Sequence, residues 1–358
     1  MLDVKKDEAV SGKTLGSSAD ISFFARIFLL AAGFAAALFA LWQLSHLMLL
    51  AFGSVLVAVV LRSFADLIQS HTPLKPKGAL ALAIVIVAAL IAAFIFLLGA
   101  QISAQVSQLF ERFPELIDRV ENAIGISRLE ERLEEYARRM IDGTSLVSRI
   151  TNYSSLVAGT AANLLLLLAA GVYLAANPDL YRRGILLLAA PGVRRELADT
   201  LAALFDALRL WLLGQLLAML FVGILTALGL WALGVPSALA LGLIAGLLEF
   251  VPVIGSVLGV VPAAIVALGE GPATVAWVIG LYIVIQQVEG MVITPLVQEQ
   301  TVRLPPAVTI FAIIAFGLLF GPLGVLFATP LTVVVFVLVK KLWIRDTLHE
   351  DTDLPGET

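Results

Sequence analysis

The fold is decided by Pro236–Leu268, PSALALGLIAGLLEFVPVIGSVLGVVPAAIVAL. These 33 residues are almost wholly apolar, with Glu249 as the one charge and Pro252 and Gly255 just behind it. One membrane-crossing helix needs about 20 apolar residues, and two with a turn between them need more than about 40. The stretch fits neither, and its proline and glycine break a helix near the middle. It therefore reads as a broken hairpin, two half-helices that enter a bilayer and return, with the tip at Glu249–Ser256.

The same reading applies further on. Gly271–Val288 is a span and Glu289–Arg303 is polar; Pro305–Val339 is then interrupted at Gly321-Pro322-Leu323-Gly324. Sliding the sequence by 69 residues lays Pro236 on Pro305, Ala238 on Ala307, Ile244 on Ile313 and Gly255 on Gly324. The spans before the two hairpins run in opposite directions, so the offset suggests an inverted-topology repeat. Such repeats mark transporters, with the site at the broken-helix tips near the midplane. Gly242/Gly246, Gly255/Gly259 and Gly317/Gly321 have the four-residue spacing that lets helices approach closely. A rival reading makes each hairpin one long kinked span. It puts Glu289–Arg303 outside the cell, where the hairpin reading puts that loop in the cytoplasm.

Composition agrees. The 358 residues are 60% hydrophobic and 14% charged, against roughly 45–50% and 25% in soluble domains. That excludes disorder, a nucleic-acid-binding domain and a secreted disulfide scaffold. The chain has no cysteine and three separated histidines, so thiol chemistry is excluded and no metal site is expected. The expected fold class is an all-α integral membrane protein of about eight membrane segments, including the two C-terminal broken, re-entrant hairpins. Residues 1–22 form a polar tail without the pattern of a signal peptide. Residues 23–99 hold three helices; Ile27–Leu61 is read as two short spans, with Arg26 and Arg62 snorkelling to one interface and His46 in the turn between them. Residues 100–150 carry amphipathic helices outside the membrane, where Ile102, Val106, Leu109 and Phe113 start an apolar stripe. A span over 151–177 and an elbow helix over 178–209 follow, the elbow striped by Val193, Leu197, Leu201, Leu204, Phe205 and Leu208 and lying along the interface. Residues 210–270 and 271–343 each hold a span and a broken hairpin, and 344–358 form a second tail.

The seven lysines fall at 5, 6 and 13, at 75 and 77, and at 340 and 341, with a further basic group at Arg182, Arg183, Arg194 and Arg195. Alternating spans puts all of them on the side of a cytoplasmic N-terminus, as the positive-inside rule asks, with the C-terminus inside as well.

Glu249 stands alone between uncharged runs of 39 and 20 residues. A carboxylate in a bilayer must face a cavity, face a partner or be neutral, which makes it the first candidate for a proton or cation carrier. Alternatively, the tip reaches water and Glu249 merely caps a half-helix. Gln286, Gln287 and Glu289 line a solute path or mark the interface. Gln215 and Asn163, inside spans, are expected to hydrogen-bond between helices. Ser256 has no nearby histidine to activate it, and no phosphate-binding loop is present. No catalytic residue, cofactor or ATPase function is therefore expected.

The run Glu249-Phe-Val-Pro252-Val-Ile-Gly255, then Pro262, Ile293-Thr-Pro295-Leu-Val and Gly321-Pro-Leu-Gly324 with Pro330, resembles the autoinducer-2 exporter family of PerM-type permeases. The resemblance covers about residues 23–343. It implies a prokaryotic inner-membrane protein of seven or eight spans. Some members are assigned autoinducer-2 export and others sodium (or lithium)/proton antiport. Members often carry Leu-His-Pro where this chain reads Leu304-Pro305-Pro306, so no proton-coupling role of that histidine operates here.

The expected function is export of a small hydrophilic solute, autoinducer-2-like, coupled to an ion or proton. The alternatives are Na⁺(Li⁺)/H⁺ antiport and a passive channel or scaffold. The pathway residues would be Glu249, Pro252, Gly255, Ser256, Gln286, Gln287, Glu289, Gly321, Pro322 and Gly324. Pro236, Pro262, Pro295, Pro305, Pro306 and Pro330 shape the helix breaks. Expected partners are the lipid bilayer, the solute or a monovalent cation or proton, and no nucleic acid; the outer stripe hints at a homo-oligomer. In this cysteine-free chain, a Glu299→Cys variant should react with a membrane-impermeant maleimide only from the cytoplasmic side. Reaction from outside contradicts the hairpin reading.

Overall fold

The computed structural model describes residues 26–30, 32–34, 39, 42–93, 96, 143–252, 254–293, 304–353 and 355. Most of the expected outer helices at 100–150, the loop at Pro295, and the terminal tails except 344–353 and 355 lie outside these. Residues up to Met48 and residues from Leu49 onward form two compact units, each described by itself. In the first, the described residues of 26–43 are helical, and the Phe39 and Trp42 rings meet at 6.1 Å.

The described elements are all helical. Helix α1 is Ser45–His71, with His46 in its first turn, and α2 is Pro76–Ala93. Arg62 was expected to close a short span at the interface; instead α1 runs on past it to His71. The Arg62 Nε donates at 2.7 Å to the carbonyl of Ala175. That carbonyl belongs to the last turn of α3 (Gly143–Ala176), where no intrahelical donor remains. A cation there also meets the negative end of the helix dipole, so the guanidinium is tied to a neighbouring helix rather than snorkelling freely.

The expected elbow over 178–209 is two things. Pro178–Leu188 is a separate helix, α4, bent 88° from the apolar end of α3. After a short turn, Arg194–Ala232 runs unbroken as α5. The stripe from Leu197 to Leu208 is therefore the beginning of α5, with no boundary at Leu210. Arg209 does not interrupt α5 because it faces Asp66 of α1 at 3.7 Å, both partly exposed.

Helix α5 is the post on which the C-terminal half is built, since α6 (Ala238–Leu248), α8 (Pro272–Val288) and α9 (Pro306–Leu338) all pack on it. Its contact with α6 is made by glycines. A Cβ on Gly242 would stand 2.6 Å from the Gly223 carbonyl oxygen, and one on Gly246 would stand 2.6 Å from that of Met219. Two backbones this close leave no room for side chains.

The first broken segment is a hairpin. Helix α7 (Ile254–Leu268) folds back on α6, and a Cβ on Gly259 would lie 3.4 Å from Ala245 Cα. In one continuous helix those residues would be about 21 Å apart. The second segment reverses too, inside α9. Gly321 has φ 66° and ψ −150°, a left-handed conformation that glycine adopts without strain, and Pro322 starts the return arm. Gly255 and Gly324, matched by the 69-residue offset, do the same job. A Cβ on Gly255 would fall on the Leu248 carbonyl, and one on Gly324 on the Phe316 carbonyl. The arms of 11 and 15 residues in the first hairpin, and 306–320 in the second, rise roughly 16–23 Å, less than a hydrocarbon core about 30 Å thick. The return arm from Pro322 continues through a wide helical turn, Val339–Arg345, and is long enough to cross.

Five helices among the described residues are long and apolar enough to cross a bilayer, six counting the bent α3–α4 pair. The chain is a multi-pass helical membrane protein. The Gly246→Ala variant should lower thermal stability in detergent by the equivalent of about 1–3 kcal/mol, because the new methyl meets backbone. Gly280, with open space around its Cα, should accept alanine without loss.

Candidate functional site

Glu249 ends α6 and is 1% exposed, among the most buried large side chains described. The backbone closes the tip locally. Phe250 N–H donates to the Leu247 carbonyl, Val251 to Leu248 and Gly255 to Val251, at 2.8–3.1 Å. The Glu249 carbonyl, at the open end of α6, receives Gln215 Nε2 of α5 at 2.6 Å. Gln215 therefore makes the interhelical bond expected of it, and the bond holds the hairpin tip. Trp211, one turn earlier on α5, meets the Phe250 ring edge-to-face at 6.0 Å.

The Glu249 carboxylate is served unevenly. Ser256, in the first turn of α7, donates its hydroxyl to Oε2 at 2.9 Å. The other oxygen, Oε1, is buried and has no hydrogen-bond partner. An unmatched buried acceptor is costly, so Oε1 is a place where a proton or cation gains binding energy. Ser256 thus serves as a donor to the carboxylate.

Glu289 is the second buried carboxylate, at 9% exposure. It was expected in a polar loop. Instead it begins a wide helical turn, Glu289–Ile293, that prolongs α8. Val278, Tyr282, Ile285 and Glu289 recur every three or four residues as one buried stripe. Within it the Tyr282 hydroxyl donates to the Gly259 carbonyl of α7 at 2.9 Å, three residues from Ser256. The Glu289 turn also packs on α5, the helix that carries Gln215. Gln286 donates to Glu289 Oε2 at 2.9 Å, and both Gln286 and Gln287 are exposed.

Of the sequence candidates, Glu249, Ser256, Glu289 and Gln286 belong to this region, with Pro252 in the turn and Gly255 against the Leu248 carbonyl. Gly321, Pro322 and Gly324 shape the second tip. That tip's Phe320 and Leu323 pack on an apolar cluster of α1, α5 and α9 that Phe250 also borders. Among the helix-break prolines, Pro236 precedes α6, Pro305 and Pro306 open α9, Pro262 lies inside α7, and Pro330 is buried inside α9. Trp211 escaped sequence reading, although it lies four residues before Gln215 on one buried face.

The tip lies nearer one end of α5 than the other. Along α5, Gln215 lies about 9 Å of helix rise from Arg209 and about 24 Å from Trp231. The Glu249 tip therefore sits nearer the Arg209 end of α5 than the Trp231 end.

These features define a class: a polytopic membrane protein with two reversing hairpins packed on one helix, the first with a buried acid at its tip. Residues 27–343 match the profile described as AI-2E family transporter. The chain is 28% identical to Putative transport protein YueF of Bacillus subtilis over 293 residues, 71% of this chain and 74% of that protein. It is 33% identical to AI-2 transport protein TqsA of Escherichia coli K12 over 125 residues, 34% of this chain and 36% of that protein. Against Putative permease PerM of Escherichia coli K12 the identity is 32% over 124 residues, 34% and 35% of the two chains. The chain belongs to the AI-2E transporter family.

Replacing Gln215 by leucine strands the Glu249 carbonyl at near-constant volume. Thermal unfolding in detergent should show a loss equivalent to about 1–3 kcal/mol. Unchanged stability would remove Gln215 from the account of the tip.

Proposed function

We propose that this protein exports a small hydrophilic solute across a prokaryotic inner membrane, driven by an ion or proton that binds at Glu249. The observation that carries the proposal is the Glu249 carboxylate, 1% exposed, with Oε1 unpartnered at the tip of a hairpin that stops inside the membrane. A carboxylate kept there at such cost gains its use by taking up and releasing a cation. Its seat supports the same reading. Ser256 and Gln215 hold the tip from two other helices, so a change in the charge of Glu249 acts on how α6 and α7 sit against α5. The solute would pass beside the two tips, Glu249–Ser256 and Gly321–Gly324. The termini and the lysine groups would face the cytoplasm. The name of TqsA speaks of AI-2 transport, and a small hydrophilic solute of that kind is the substrate class proposed.

A second reading, Na⁺(Li⁺)/H⁺ antiport, is favoured by the second buried carboxylate. Glu249 and Glu289 from separate helices offer one cation two anionic groups and offer one proton a choice between them.

Proteoliposomes holding a trapped pH dye separate the readings. Under antiport, an external sodium pulse moves protons in the wild type, and Glu249→Gln abolishes the response. Under coupled export, labelled autoinducer-2 leaves loaded vesicles in proportion to an imposed pH gradient, and Glu249→Gln uncouples flux from the gradient. If the wild type responds in neither assay while a known transporter does in parallel, both readings fall. A response preserved in full by Glu249→Gln removes Glu249 from the coupling role.

A further inference from the structure

Helix α4, Pro178–Leu188, is unlike its neighbours. None of its eleven residues is buried, and Leu180, Tyr181, Ile185, Leu187 and Leu188 are exposed, Leu188 at 90%. At 100° per residue these side chains cover one half of the helix; Asp179, Arg182 and Arg183 take the other, with the half-buried Leu186 between them. An isolated helix of this length is marginal in water, so its apolar half needs a partner.

The structure narrows what that partner is. Helix α4 is turned 88° from the apolar end of α3, close to perpendicular. From Leu156 to Ala176, α3 rises about 31 Å, enough to cross the hydrocarbon core without help from α4. The three charges among eleven residues of α4 also exclude it from that core. Its start is level with a bilayer edge. Arg62 binds the last turn of α3 beside it, and one turn further along α1 Asp66 faces the partly exposed Arg209. A helix that leaves a span at a right angle at that level lies along the membrane surface. Arg182 and Arg183 then point toward the headgroups and the aqueous side, with Arg194 and Arg195 at the start of α5 nearby. Asp179 is the one acid in α4, placed in the first turn where the helix dipole favours it.

We infer that α4 is a docking helix for anionic phospholipid, its apolar half sunk among the acyl chains and Arg182 and Arg183 set against acidic headgroups. The occupant is the bilayer surface itself rather than a soluble protein. Length, perpendicular exit, amphipathic division and cationic face all match an interfacial helix, and a basic face at an anionic surface gains about fivefold in binding per arginine. The inference is independent of what the protein transports.

The full-length cysteine-free chain permits a direct test. Nitroxide labels on Leu188→Cys and, separately, Arg182→Cys are read in vesicles of phosphatidylcholine alone and of phosphatidylcholine with phosphatidylglycerol. With phosphatidylglycerol present, the label at 188 should collide with oxygen and be shielded from a water-soluble nickel chelate, and the label at 182 should show the reverse. Neutralising arginines in the Leu188→Cys chain, Arg183→Gln or Arg182→Gln with Arg183→Gln, should weaken docking by about fivefold per arginine removed. Raising salt should act in the same direction. These side chains are exposed, and thermal unfolding in detergent verifies that each variant remains folded. A label at 188 open to nickel in both vesicles overturns the proposal. So does docking indifferent to phosphatidylglycerol and to the arginines. So do spin–spin broadening at 188 and shielding that persists in lipid-free detergent, which would make the partner a second copy of the chain.

Discussion

A helix that stops inside a bilayer leaves carbonyl and amide groups that no water can reach, and every feature of the C-terminal half answers that constraint. Around Glu249 the answer has three parts. The turn closes its own bonds through Phe250, Val251 and Gly255. Gln215 reaches across from α5 to take the Glu249 carbonyl. Glycines at 242, 246 and 255 bring backbone against backbone so that the interrupted helix is walled by protein. The chain reversal is stable because α5 is continuous and supplies the wall.

Once the backbone is satisfied, the leftover chemistry is sharply located. Glu249 Oε1 is a buried acceptor at the tip without a partner, and Glu289 adds a second anionic group from the next helix. A rigid apolar frame around unsatisfied charge is the arrangement expected where a small cation or proton changes hands. The second tip, built on Gly321-Pro322, lacks such a side chain. The two tips share a backbone device and differ in chemistry.

Much of this was legible along the chain. Pro252 with Gly255 and Gly321 with Pro322 punctuate runs too short for two spans, which located both reversals, and Glu249 stood out by its isolation. The errors came where a charge was read as a boundary. Arg62 and Arg209 lie inside continuous helices because each finds a partner on another helix, Ala175 and Asp66. Such pairings join residues far apart in sequence and leave no periodic trace. The same holds for Gln215, whose partner lies 34 positions away, and for the depth of the tip, which depends on where α6 sits along α5.

The central claim is that the chain turns back on itself at Glu249, and a disulfide measures that directly. Cysteines replacing Ala245 and Gly259 would have Cβ atoms about as far apart as the 3.4 Å seen for a built Cβ, close to the spacing of a disulfide bond. In membranes treated with a mild oxidant, mass spectrometry should find the peptides bearing 245 and 259 joined, in high yield and within one chain. Two free thiols under conditions that oxidise a control pair would mean a continuous, kinked span, and the tip with its buried carboxylate would not exist.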